Sequence, residues 1–163
     1  MRIGVLRVGK GRDKLLAEVA ARYEERLART ANLVTAWAPE VTGRHRDADE
    51  IRRLEAERLG AVLERWQRAA GRACEVICLD ERGTIPTSRD LAARIQALAE
   101  RGVSQVSFVI GGDQGLDPSL RERAGHVLAL SRLTFTHEMA RVLLLEQLFR
   151  AEMIRTGHPY HRE

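Results

Sequence analysis

Apolar positions fall along this chain in two alternating rhythms: short unbroken runs, and longer stretches in which they recur every three and four residues. Residues 2–8 predict a first strand. After the turn at 9–13, Leu16, Val19, Ala20, Tyr23 and Leu27 share one face of a helix. Residues 33–37 predict a second strand, ended by Pro39, and the polar stretch 40–47 is the longest candidate loop. From Asp49 a second helix carries Ile51, Leu54, Leu59, Val62, Leu63 and Trp66 on one side and stops before Gly71. Residues 74–79 predict a third strand. Thr87 and Asp90 stand in capping-box spacing ahead of Leu91, Ile95 and Leu98, marking a third helix, and 106–110 form a fourth strand. Asp117 and Pro118 open a short fourth helix, 127–130 predict a fifth strand, and the last helix runs from about 138 to 156, before Gly157 and Pro159.

Strands that alternate with helices from end to end predict an α/β fold, a mostly parallel sheet covered on both faces by helices. Ligands of such sheets bind outside the carboxyl ends of the strands. No internal repeat or linker interrupts residues 1–163, so one domain is expected. The last helix is apolar nearly all round at Val142, Leu143, Leu144 and Leu145, which predicts burial on two sides, with a second subunit as one source of the cover.

Composition narrows the classes. Charged residues make up 31% of the chain and hydrophobic ones 44%, a globular balance, and no strictly apolar run exceeds four residues, so no membrane span is predicted. The opening residues lack the features of a signal peptide, and a cytoplasmic location is expected. The net charge is +4, and only Lys10 and Lys14 are lysines; the remaining cationic residues are arginines. Guanidinium groups fork onto phosphate and stack on unpaired bases, which leans toward RNA, although arginine on ordinary solvated faces gives the same count. Cys74 and Cys78 on one strand would stand roughly 13 Å apart, too far to pair, and are read as small buried residues.

Candidate chemistry concentrates late in the chain. The strand end Phe108-Val109-Ile110 runs into Gly111-Gly112-Asp113-Gln114-Gly115, a loop whose glycines would let backbone approach a small ligand. An earlier glycine turn, Gly9-Lys10-Gly11-Arg12-Asp13-Lys14, lacks the third glycine of a dinucleotide fingerprint, and its cations are read instead as possible phosphate contacts. His45, His126, His137, His158 and His161 have no partners at ligand spacing, so no metal is expected.

The ordered set Val-Ile-Gly-Gly-Asp-Gln-Gly at 109–115, Leu-Ser-Arg-Leu-Thr-Phe at 130–135, His137 with Arg141, Glu-Gln-Leu-Phe-Arg-Ala at 146–151 and His-Pro-Tyr-His at 158–161 closely resembles the ribosomal RNA large-subunit methyltransferase H family of the SPOUT class. The resemblance spans essentially the whole chain. It implies a SPOUT-type α/β fold with a C-terminal trefoil knot, a homodimer, and S-adenosylmethionine as cofactor. It further implies methylation of N3 of a pseudouridine in a hairpin loop of 23S rRNA within the assembled ribosome. Carried over by motif, the cofactor positions are Leu79, Gly111, Leu130, Ser131, Arg132, Leu133, Thr134 and Phe135. The catalytic candidates are Arg150, as the cation that stabilises the deprotonated ring, with Tyr160 and His161 to stack on or orient the base. The chain carries Thr136 where the family usually has proline. The competing readings of the residues are a non-catalytic RNA- or ribosome-binding protein and a flavodoxin-like small-ligand module.

Overall fold

The computed structural model describes residues 1–42, 47–71 and 73–160. Among them, strands β1 (Arg2–Val8), β2 (Asn32–Ala38), β3 (Cys74–Thr84), β4 (Gln105–Ile110) and β5 (His126–Leu128) alternate with helices α1 (Lys14–Ala28), α2 (Ala48–Ala70), α3 (Ser88–Glu100), α4 (Pro118–Glu122) and α5 (His137–Arg155). The strands form one sheet in the order β2-β1-β4-β3-β5, parallel at every pairing. The α/β class expected from the alternation is the one observed. No helix among the described residues is long and apolar enough to cross a membrane.

The sheet separates two apolar layers. Ile3, Val5, Phe108 and Ile110 face α1, α3 and α5, while Leu6, Val8 and Val109 face α2 and α4, as the two-residue period of a strand requires. Central strands β1 and β4 are buried on both faces, so that even Arg7, Gln105 and Ser107 are covered. Helix starts follow local chemistry. Asp13, Asp47, Thr87, Asp117 and Thr136 each accept a backbone N–H of their helix, and Thr87 with Asp90 completes a capping box. Thr136 thus has a definite task, its hydroxyl accepting the Met139 N–H at 3.3 Å.

Two expectations need correction. Strand β3 does not end at Leu79; its pairing with β5 breaks there at an irregularity and resumes at Thr84, opposite Leu128. Strand β5 covers His126–Leu128 rather than 127–130, because the Ala129 N–H is taken by the Thr84 carbonyl at 2.8 Å and the chain then leaves the sheet. The two segments meet so closely that a Cβ at Gly83 would lie 2.6 Å from the Leu128 carbonyl carbon. Within the subunit α5 already covers Leu144, Leu145, Leu148 and Ala151 wholly, in the layer formed with α1, α3 and the sheet, as a central helix would. Each such leucine contributes about 2 kcal/mol through burial. Of the two cysteines on β3, Cys78 is buried and Cys74 only partly so.

Candidate active site

Three segments that leave the carboxyl edge of the sheet converge on a cleft of about 570 Å³. One is the outer part of β3 around Leu79, Asp80 and Glu81; the second is the glycine loop after β4; the third follows β5. Arg52 of α2, Arg121 of α4 and His137 and Ala140 of α5 complete the walls. The volume suits a drug-sized ligand, and the place is where open parallel sheets bind one.

The glycines of the middle segment are each required for a separate reason. A Cβ at Gly111 would meet the carbonyl carbon of Gly115 at 2.7 Å and the Leu116 nitrogen at 2.9 Å, so the loop's own backbone demands glycine there. A Cβ at Gly112 would meet Glu55 Oε2 at 2.7 Å. Gly115 has φ +77°, in the left-handed region, and its N–H donates to the Gly112 carbonyl at 3.0 Å, closing a tight turn with Asp113 and Gln114 at its tip. The loop's own fold thus needs glycine at 111 and 115, apart from any approach of a ligand.

Charged groups of the cleft are tied to one another. Arg121 Nη1 donates to Asp80 Oδ2 at 2.9 Å and to the Leu116 carbonyl at 2.6 Å, joining β3, the glycine loop and α4 in a largely buried pair. The other oxygen of Asp80 accepts the Arg82 N–H. Glu81 accepts the Thr134 hydroxyl at 3.1 Å, linking the β3 extension to the segment after β5. Asp113 and His137 Nδ1 lie 2.9 Å apart, which latches the glycine loop to the first residue of α5 and leaves Nε2 of that ring buried without a partner among the described residues. Beneath the loop, Glu55 is buried; one oxygen accepts the Val41 N–H at 3.1 Å and the other has no partner among the described residues. Burial pushes the Glu55 carboxyl above its ordinary value, the Val41 N–H opposing in part.

Of the cofactor positions named from the motifs, Leu79, Gly111, Leu130, Ser131, Leu133, Thr134 and Phe135 line the cleft, and Arg132 does not. Leu133 is 71% exposed. Sequence reasoning missed Asp80, Arg121, Arg52 and Glu55 and left Asp113 unassigned. Asp80 adjoins Leu79 in sequence, but nothing in the pattern pairs it with an arginine on a helix five residues long.

The proposed catalytic residues lie elsewhere on the same chain. Arg150 binds Glu146 through Nε at 3.1 Å and Nη2 at 2.5 Å, and its guanidinium carbon stands 5.1 Å from the centre of the Tyr160 ring. The bond to Glu146 raises the Arg150 pKa, so the cation is secure. Tyr160 packs edge-on against Phe149, with ring centres 4.9 Å apart. Ten residues of α5 separate Ala140 at the cleft from Arg150, a helical rise of about 15 Å. His161 lies outside the described residues, as does His45. In the turn after β1, the N–H groups of Arg12 and Asp13 are filled by the Glu138 carboxylate at 2.9 and 3.0 Å, which closes that helix start to a dinucleotide phosphate. No group of three His, Cys, Asp or Glu side chains among the described residues is placed to hold a metal.

This fold and cleft define a class. A family model described as predicted SPOUT methyltransferase matches residues 1–161, and the chain belongs to the SPOUT methyltransferases. Within them it belongs to the family of proteins named ribosomal RNA large subunit methyltransferase H. The relative from Nitratidesulfovibrio vulgaris is 42% identical over 163 residues, covering 98% of this chain and 97% of that one. That from Geobacter metallireducens is 41% identical over 161 residues, covering 99% of each. The crystal structure of a probable methyltransferase from Bordetella pertussis superposes with a TM-score of 0.53 at 19% identity, covering 93% of this chain and 96% of that one, and shares the fold. The cofactor of this chain is S-adenosylmethionine. The cleft fits it in volume, and the orphaned His137 Nε2 is a polar atom that a hydrogen-bonding ligand would satisfy.

Proposed function

We propose that this chain methylates N3 of a pseudouridine in a hairpin loop of 23S rRNA within the assembled ribosome, and that it acts in the cytoplasm as a homodimer of single-domain subunits. The observation that carries the reading is the convergence of Leu79, Gly111 and most of the 130–135 segment on one cleft at the carboxyl edge of the sheet, in a chain of this family.

When bound, S-adenosylmethionine supplies a sulfonium methyl already activated toward a nucleophile. The protein then has to hold N3 in line and help its proton leave. Leu130, Ser131, Leu133, Thr134 and Phe135, with Leu79 and Gly111, hold the cofactor in this reading, and Arg132, which the motif also named, stands outside the cleft. Arg150 stabilises the ring anion as N3 loses its proton, and Tyr160 and His161 orient the base. The rise of about 15 Å along α5 between Ala140 at the cleft and Arg150 supports a second subunit as the source of Arg150 and the tail. Support for such a partner comes from Leu15 and Val19, one turn apart on α1, which are 72% and 37% exposed.

Transfer of labelled methyl to ribosomes that lack the modification, followed by mapping of the modified nucleotide, tests the proposal. Label on N3 of one hairpin-loop pseudouridine is the expected result. Salt-dependent binding to ribosomes with no transfer would replace the enzyme with an RNA-binding protein.

A further inference from the structure

We infer that the turn after β1, together with the exposed Trp37 beside it, is a docking surface for single-stranded RNA next to the cofactor cleft. The inference rests on the proposed RNA substrate and adds the place where the flanking nucleotides are gripped.

Strand β2 is the edge of the sheet, and Trp37, near its carboxyl end, is 46% exposed. It lies on the same face as Leu33, which packs in the layer beneath α1. The Gly9 N–H donates to the Ala38 carbonyl at 2.8 Å, so the turn carrying Lys10 and Lys14 emerges directly beside that tryptophan. These are the only two lysines of the chain. Both are exposed, and neither forms an ion pair among the described residues.

The acids around them are differently disposed. Glu40 holds Arg12 at 2.6 Å. Glu138 is taken by the N–H groups of Arg12 and Asp13, and Asp13 accepts the Leu16 N–H at 3.0 Å. Arg58 fixes the following bend by donating to the Pro39 and Glu40 carbonyls. Asp13 and Glu18, one turn apart on the chain into α1, are the nearby carboxylates that stand in solvent, and Asp13 is the one held by the helix start. Negative charge is thus mostly consumed inside the turn while positive charge is left outside, beside an aromatic face. That pairing of a flat ring with free cations is the chemistry that binds single strands, the ring stacking a base and the cations meeting phosphates. Strand β2 lies two strand spacings from β4, about 10 Å, so the surface borders the cleft.

The test uses the full chain carrying Trp66→Phe, which leaves Trp37 as the only indole, with an eight-nucleotide oligouridylate as probe. Stacking should quench Trp37 fluorescence in a saturable way. Trp37→Ala should weaken binding of the labelled probe about ten-fold. The pair Lys10→Glu and Lys14→Glu should weaken it further and lower the log–log salt slope by about 1.4, roughly 0.7 for each phosphate no longer neutralised. Cofactor affinity by calorimetry, melting temperature and sedimented mass should stay as in the parent. Absent quenching, an unchanged slope, or a change in sedimented mass overturns the inference, the last by making this surface a subunit contact. If the parent methylates ribosomes and the charge-reversed form does so with the same KM, the inference fails and the proposed function stands. If the parent transfers no methyl but binds oligouridylate through Trp37, the proposed function fails and the surface stands.

Discussion

Replacing Gly111 by alanine separates two explanations of the glycine loop. If glycine were needed only to admit the cofactor, the variant would lose affinity and keep its stability. The geometry says otherwise, since the new Cβ would sit 2.7 and 2.8 Å from the carbonyl carbon and oxygen of Gly115. Ordinary contact with backbone needs more than 3.4 Å, so the Gly112–Gly115 turn has to move by several tenths of an ångström and strain its 3.0 Å hydrogen bond. Overpacking of this kind costs about 1–3 kcal/mol. In a domain of this size each kcal/mol lowers the melting temperature by about 2–4 °C, so a fall of about 2–12 °C without ligand is expected. The displaced turn also carries Asp113 away from His137, so affinity for S-adenosylmethionine should drop in the same protein. The assays are thermal unfolding without ligand and calorimetric titration with it. A variant that melts like the parent yet binds no cofactor would refute the backbone argument.

Glu55→Gln keeps an acceptor for the Val41 N–H and removes a carboxylate whose pKa burial raises. A raised carboxyl pKa means that the folded state holds the proton more tightly, so wild-type stability falls as pH rises through the folded value. The variant should therefore be the more stable protein at neutral pH and lose that advantage below about pH 4.5, which thermal melts across pH will show; a pH-independent difference would contradict it. Arg121→Met strips Asp80 of its guanidinium partner in a largely buried place and should cost about 2–3 kcal/mol, discounted from the fully buried case for residual solvent. Adding Asp80→Asn should recover part of that loss in denaturant titrations, and strict additivity of the two would mean the pair is not coupled.

The fold was legible where periodicity or capping is local. Thr87 with Asp90, and Asp117 with Pro118, announced α3 and α4 because the partners stand within three residues of one another. The extension of β3 to Thr84 was not legible, since Asp80, Glu81 and Arg82 are polar and span the break between two points of pairing with β5, more than 40 residues on. The same limit applies to the cleft. Its glycine loop stood out, but the Asp80–Arg121 and Asp113–His137 pairs join residues separated by 41 and 24 positions. Glu55 looked like any carboxylate on the polar side of a helix, and only the approach of Gly112 made it an interior group.

Strand β5 pairs over three residues, at the outer edge of the sheet, and on one side only. The walls of the cleft depend on it, because the 130–135 segment is held in place by what β5 grips. Sheet growth that nucleates on β1 and β4 therefore reaches the ligand pocket last. The same strand is the cheapest to release, so local opening would expose the pocket without melting the core. A ligand bound there fastens the segment that folding leaves least secured, and occupancy and completion of the fold become one equilibrium.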